Sequence, residues 1–230
     1  MEHLFDTDLG ALKQKLLTMA SHAEAAVNEA LRALVERDYD LALRVKEDDR
    51  ILDQFEVEID DMAIHLLAKA PLASDLRFVT VAMKISQNLE RVGDEASKIA
   101  KRARDLSQEA PVKLHLELPR MASQALDMLK TALDAFVNRD PAAARAVIPR
   151  DKEVDAMNRQ INLELAQHMM AHRDTIMRCL NLITVAKSLE RIADHAKNVA
   201  EEVVYLYEAQ DIRHTGNKAA AAAVDGTTTA

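Results

Sequence analysis

Apolar residues recur at intervals of three and four from the start of the chain. Leu12, Leu16, Met19, Ala23, Val27, Ala30 and Leu34 mark one face of an amphipathic α-helix. Similar stripes follow as far as about residue 209. Helix breakers are few: prolines at 71, 111, 119, 141 and 149 and glycines at 10, 93, 216 and 226 leave the tracts 11–70 and 150–215 uninterrupted. One helix over 150–215 would run about 100 Å at roughly 1.5 Å per residue, too long for a compact domain, so that tract must fold back, and His172-Arg173-Asp174 is the expected break. Six helices are predicted, over 8–37, 39–69, 75–106, 119–138, 141–171 and 175–209. Asp38 and Asp140 read as N-caps, and Pro141 suits a first helical position, where a missing N–H costs nothing. Pro149 is expected to kink the fifth helix or detach its first turns.

Composition fixes the class. With 4 Gly, 5 Pro, 3% aromatics and no Trp in 230 residues, the chain lacks turn punctuation and strand-forming side chains. It offers strong helix formers instead, so the fold is all-α, and 49% hydrophobic residues suffice for a core. Thirty basic against 38 acidic residues give a net charge of -8, which argues against nucleic acid or anionic lipid as the main partner, although a local basic patch remains open. Cys179, the single cysteine, lies in an apolar run and reads as a buried hydrophobe. No signal-peptide pattern opens the chain and no 18-residue apolar run occurs, so a cytoplasmic location is expected. The low-complexity tail, 213–230, reads as disordered.

The chain repeats itself. Residues 19–59 set against 121–161 give 15 identities in 41 positions, among them Met19-Ala20-Ser21 with Met121-Ala122-Ser123 and Arg37-Asp38 with Arg139-Asp140. At an offset of 100, Leu89-Glu90-Arg91 matches Leu189-Glu190-Arg191, and Asp94, Ala96 and Ala100 match Asp194, Ala196 and Ala200. Each half is therefore a three-helix unit, and the expected architecture is two tandem, pseudo-symmetric three-helix bundles, 1–110 and 111–212.

Four acidic pairs at i, i+4 survive the duplication: Asp49/Asp53, Glu90/Asp94, Asp151/Asp155 and Glu190/Asp194. Each pair shares one helix face, and like charges so placed oppose helix formation. Retention of that penalty at matched places points to a compensating cation or a basic partner. Carboxylates on neighbouring helices suit Mg²⁺, Ca²⁺ or Mn²⁺, and iron where imidazole is near. The bland alternative is a plain helical adaptor with solvated acidic faces. A ferritin-like metal enzyme would carry Glu-x-x-His motifs, and none of the eight histidines has Glu three residues before it. His22, His65 and His168 are formal phosphotransfer candidates without a counterpart in the other half. No phosphate loop, nucleophile elbow or Cys-x-x-Cys supports catalysis.

The doubled Leu-Glu-Arg-x-x-Asp segments, the run Leu189 to Tyr205 and Asp75-Leu76-Arg77-Phe78 resemble the PhoU family of phosphate-transport accessory regulators, over residues 5–212. The resemblance implies a cytoplasmic, non-enzymatic negative regulator of phosphate uptake and of the phosphate-starvation regulon, commonly a homodimer. It would couple the ATPase subunit of a phosphate ABC transporter (PstB-like) to a sensor histidine kinase (PhoR-like), reaching the inner face of the membrane through these partners. It also implies metal ions (Mg, Mn, Fe or Zn) at Asp49, Asp53, Glu90 and Asp94 and at Asp151, Asp155, Glu190 and Asp194, with His195 beside the second set. Lys98, one turn beyond Asp94, is expected to neutralise the first set and leave the second as the better site. Arg77 is expected in a salt bridge, with Asp75 or an acid across the loop, and Met169, Met170 and the other methionines as core filler.

Overall fold

A computed structural model describes residues 2–69 and 72–213, with side chains from Thr7 onward. The expected disordered tail lies, from residue 214, outside the described residues. Among the described residues seven α-helices follow one another: α1 Glu2–Glu36, α2 Tyr39–Leu67, α3 Ala73–Ser107, α4 Leu118–Asn138, α5 Pro141–Val147, α6 Asp151–Ala171 and α7 Ile176–Glu208. No strand occurs among the described residues.

Local chemistry sets the boundaries. The Asp38 and Asp140 side chains accept from the N–H groups of Leu41 and Ala143, each at 2.9 Å, as N-caps do. Pro149 divides the expected fifth helix into α5 and α6, joined by a 3-10 turn at Ile148–Arg150. A second 3-10 turn, Arg173–Thr175, makes the break between α6 and α7 where it was expected. The first helix begins earlier than predicted, at Glu2, because no breaker precedes Gly10, where a side chain would meet open space.

Helices α1, α2 and α3 form one bundle, and α4, α5–α6 and α7 form the other. Between them α3 packs along α7. The polar contacts of that seam give its direction: Lys84 with Glu202, Asn88 with His195, Glu95 with Arg191, Arg102 with Asn181. Numbers rise on one helix as they fall on the other, so the two run antiparallel. The contacts also interchange under the offset of 100, Asn88–His195 corresponding to Glu95–Ser188. A pseudo-twofold axis therefore passes through the seam near Val92 and Ile192, both fully buried. One continuous core links both bundles, with Phe136 stacked on Phe78 at 5.7 Å. Cys179 is buried in it, its Sγ 3.6 Å from Thr175 Oγ1.

Two expectations fail. Arg77 has no carboxylate partner among the described residues; its guanidinium lies over the Tyr205 ring, 5.8 Å from the centroid, because α7 rather than a loop faces it. The methionines are not uniformly core: Met121 and Met128 are fully buried, whereas Met170 and Met177 are 76% and 67% exposed at the α6–α7 end.

Candidate functional site

The acidic pairs meet where α2 packs on α3 and where α6 packs on α7. In the first cluster, burial raises the pKa of Asp49, helped by the charges of Asp94 and Asp53 and opposed by a hydrogen bond from Ser97. Glu90 is pushed up to about 7, by burial first and then by Asp94, with Arg91 pulling the other way. All four predicted carboxylates of the first half are thus electrostatically coupled. In the second cluster, Asp194 is pushed up to about 6 by burial first, then by Asp151 and Glu190, with a smaller push from Asp155. The second four are brought together as well.

Two further acids join the first cluster. Glu56 is raised by burial and then by Asp60, and it also feels Asp53 and Asp94. Their counterparts at offset 102 are the amides Asn158 and Asn162, whose side chains bond to each other at 3.3 Å. The spacing signal was present, since Glu56 follows Asp53 by three residues and Asp60 follows Glu56 by four. It was hidden because the duplication kept the positions but not the charge.

The lysine asymmetry is opposite to expectation. Lys98 pairs with Glu95 at 2.9 Å, turned toward the seam, and has only a secondary pull on Asp49. The lysine that enters an acidic cluster is Lys197, whose Nζ lies 2.8 Å from Asp151 Oδ2. Its counterpart in the first half is Ser97, a neutral hydroxyl. The first cluster is accordingly the more negative of the two, tempered by Arg91, which donates to Asp94 at 3.2 Å.

His195 looks away from the acidic cluster of its own half. Its Nδ1 is 3.0 Å from Asn88 Oδ1 on α3, and burial first, then Arg91, Arg191 and Lys98 against Glu95, lower its pKa. It lines a cavity of about 460 Å³ on the pseudo-twofold axis, with Arg91, Asp94, Glu95, Arg191 and Asp194 among the other walls.

The donor chemistry fits a hard cation. The clusters are oxygen donors, and each keeps one buried carboxylate oxygen without a hydrogen bond: Glu90 Oε2, although Arg91 Nε is 3.3 Å away, and Asp151 Oδ1. As the side chains stand, no three His, Cys, Asp or Glu among the described residues converge to hold one ion. Several of the carboxylates are engaged by neighbours: Ser97 on Asp49, Arg91 on Asp94, Lys197 on Asp151 and the Lys187 ammonium on Glu190. Cation binding would therefore require rotamer changes at the cluster.

Fold and site together define a class: a duplicated three-helix protein whose halves share one seam and each display a carboxylate cluster between their last two helices. The PhoU domain matches residues 16–103 and again 118–203. The chain belongs to the PhoU family. It is 40% identical over 228 residues to the phosphate-specific transport system accessory protein PhoU homolog of Pseudomonas putida, covering 98% of this chain and 89% of that protein. The crystal structure of PhoU from Pseudomonas aeruginosa superposes with a TM-score of 0.86 at 40% identity, over 90% of this chain and 100% of that one. The phosphate transport system regulatory protein PhoU from Streptococcus pneumoniae gives 0.84 at 28% identity, over 90% and 99%. No helix among the described residues is long and apolar enough to cross a membrane.

Proposed function

We propose that this chain is a regulatory accessory protein of phosphate transport, one that restrains phosphate uptake and starvation signalling when phosphate is plentiful. It would do so without catalysis, as a homodimer at the cytoplasmic face of the membrane, by contacting the ATPase subunit of a phosphate ABC transporter and a sensor histidine kinase. The observation that carries this reading is family membership across both bundles, matched to relatives named as accessory proteins of phosphate transport. Divalent or iron ions at the two acidic clusters belong to the same proposal. Coupled carboxylates, with one unbonded buried oxygen in each cluster, support them, since an uncompensated buried acid is costly and a cation relieves it. Lys197 on Asp151 favours a second reading for the α6–α7 cluster, in which an internal lysine does the work of the ion.

Deletion of the gene tests the regulatory reading. The expected phenotype is starvation signalling that persists in phosphate-rich medium, restored to normal by the wild-type gene; an unchanged phosphate response would overturn it. Metal analysis of the untagged protein, beside D94N and D194N variants, tests the ions separately.

A further inference from the structure

Arg37 and Arg139 are equivalent residues whose side chains have different fates. Each ends a long helix in the left-handed conformation, at φ 59° and 58°, and after each the aspartate N–H closes the same bond, Asp38 to Ala33 O and Asp140 to Ala135 O, both at 3.0 Å. Glycine adopts this conformation with less strain. For Arg37 the compensation is visible. Its Nη2 donates to Leu106 O at 2.7 Å, to Ser107 O at 3.2 Å and to Glu109 O, while Arg178 takes Ala110 O at 2.8 Å. The linker after α3 thus closes that corner.

Arg139 has no such closure. The equivalent acceptors would be the carbonyls of Leu206, Tyr207 and Ala209, and its guanidinium has no hydrogen-bond or ion-pair partner among the described residues. The chain beyond α7 is tied elsewhere, through Arg145 to Gln210 at 3.1 Å and Arg213 to Glu202 at 3.2 Å. What remains is a cavity of about 530 Å³ among the ends of α1, α3, α4 and α7, its walls including Leu9, Lys13, Asp75, Phe78, Arg139 and Tyr207. Arg139 faces it without a hydrogen-bond or ion-pair partner among the described residues, Lys13 faces it while donating to Val137 O at 3.2 Å with its remaining N–H groups left over, and Asp75 is the one carboxylate. The opposite corner has Arg178 where this one has Phe78, so the duplication replaced a tie to the chain's own backbone with an aromatic wall. The cavity on the pseudo-twofold axis differs, because Arg91, Arg191 and Lys98 are already paired with Asp94 and Glu95.

We propose that the Arg139 cavity binds a small organic anion, with an apolar body against Leu9 and Phe78 and one carboxylate, sulfonate or phosphoryl head on Arg139 and Lys13. The head supplies the acceptors that backbone carbonyls supply to Arg37. The volume suits such a ligand, since small-molecule sites span about 300–1,000 Å³.

The test uses the full chain and anilinonaphthalene sulfonate, an amphipathic anion that fluoresces on apolar burial, with octanoate as competitor. Saturable binding at one site per chain, displaced by octanoate, is expected. R139G should weaken it at least about tenfold, as loss of a charge-assisted hydrogen bond does, and K13Q should weaken it less. V35S, in the separate groove between α1 and α4, should leave binding unchanged. R139G should melt no lower than wild type, since glycine suits its backbone; if it melts earlier, R139K decides, with weakened binding in a fully folded protein expected. Undiminished binding in the folded Arg139 variant, loss only in V35S, or no saturable site would overturn the proposal.

Discussion

Glu95 and His195 occupy equivalent places on α3 and α7, and each reaches across the seam into the other bundle. Glu95 accepts from Arg191 at 3.2 Å and His195 meets Asn88 at 3.0 Å. Burial opposes the Glu95 carboxylate, yet hydrogen bonds from Lys98, Ser188 and Arg191 outweigh it and hold its pKa below the ordinary value. A depressed carboxylate stabilises the fold above its unfolded pKa and loses that contribution as pH falls through its folded pKa. E95Q should therefore cost about 1–3 kcal/mol at pH 7, with the deficit shrinking in acid. Urea unfolding of both proteins at pH 7 and pH 3.5 checks this, and an equal deficit at both would refute it.

Glu90 gives the opposite sign. With its carboxyl pushed up to about 7, the native chain keeps a proton that the unfolded chain releases near the ordinary value of 4.5. Stability without metal should fall as pH rises across that window and level off above it. In E90Q this slope should flatten, and at pH 8 the variant should be the more stable by about 1–3 kcal/mol. Thermal melts in chelator between pH 5 and pH 8 provide the measurement.

Gly93 lies between Glu90 and Asp94, and a Cβ there would stand 2.2 Å from Leu52 Cδ1. The other half carries Ala193 with the shorter Val154 at the position equivalent to Leu52. G93A alone should cost about 1–3 kcal/mol by overpacking. Adding L52V should recover most of that loss, although L52V by itself is destabilising. A double-mutant cycle with no coupling would show that the two positions do not share the space.

Lys197 and Lys98 should separate cleanly. K197A strands Asp151, only 5% exposed, without its ammonium, and leaving a buried acceptor unpaired costs about 1–3 kcal/mol. K98A removes one of three donors to Glu95 from a half-exposed position and should cost about 1 kcal/mol or less. If the α6–α7 cluster takes cations, Mn²⁺ should raise the melting temperature of K197A more than that of wild type. Equal shifts would locate the ion's effect elsewhere.

The helices and their duplication were legible because both rest on spacing. Breakers at 141 and 149, caps at Asp38 and Asp140 and the offsets of 102 and 100 need no tertiary information. The antiparallel seam was not legible: periodicity shows that Val92 and Ile192 face a core, but not that each core wall is the other's helix. The same limit hid the fates of Lys98, Arg77 and His195, since neighbouring helices decide where those long or edge-placed side chains turn. Glu56 and Asp60 are hidden for another reason, since their counterparts Asn158 and Asn162 keep the positions without the charge.

Pro149 carries a consequence beyond the kink. Asp49 sits ten residues into α2, where every amide near it is committed to the helical ladder, whereas Asp151 is the first residue of α6. One aspartate therefore follows directly on a tighter 3-10 turn, whereas its twin rides an unbroken α-helix. Two copies of one gene segment thus set the same side chain on differently wound backbone, because an imino acid two residues upstream moved the point at which a rod begins.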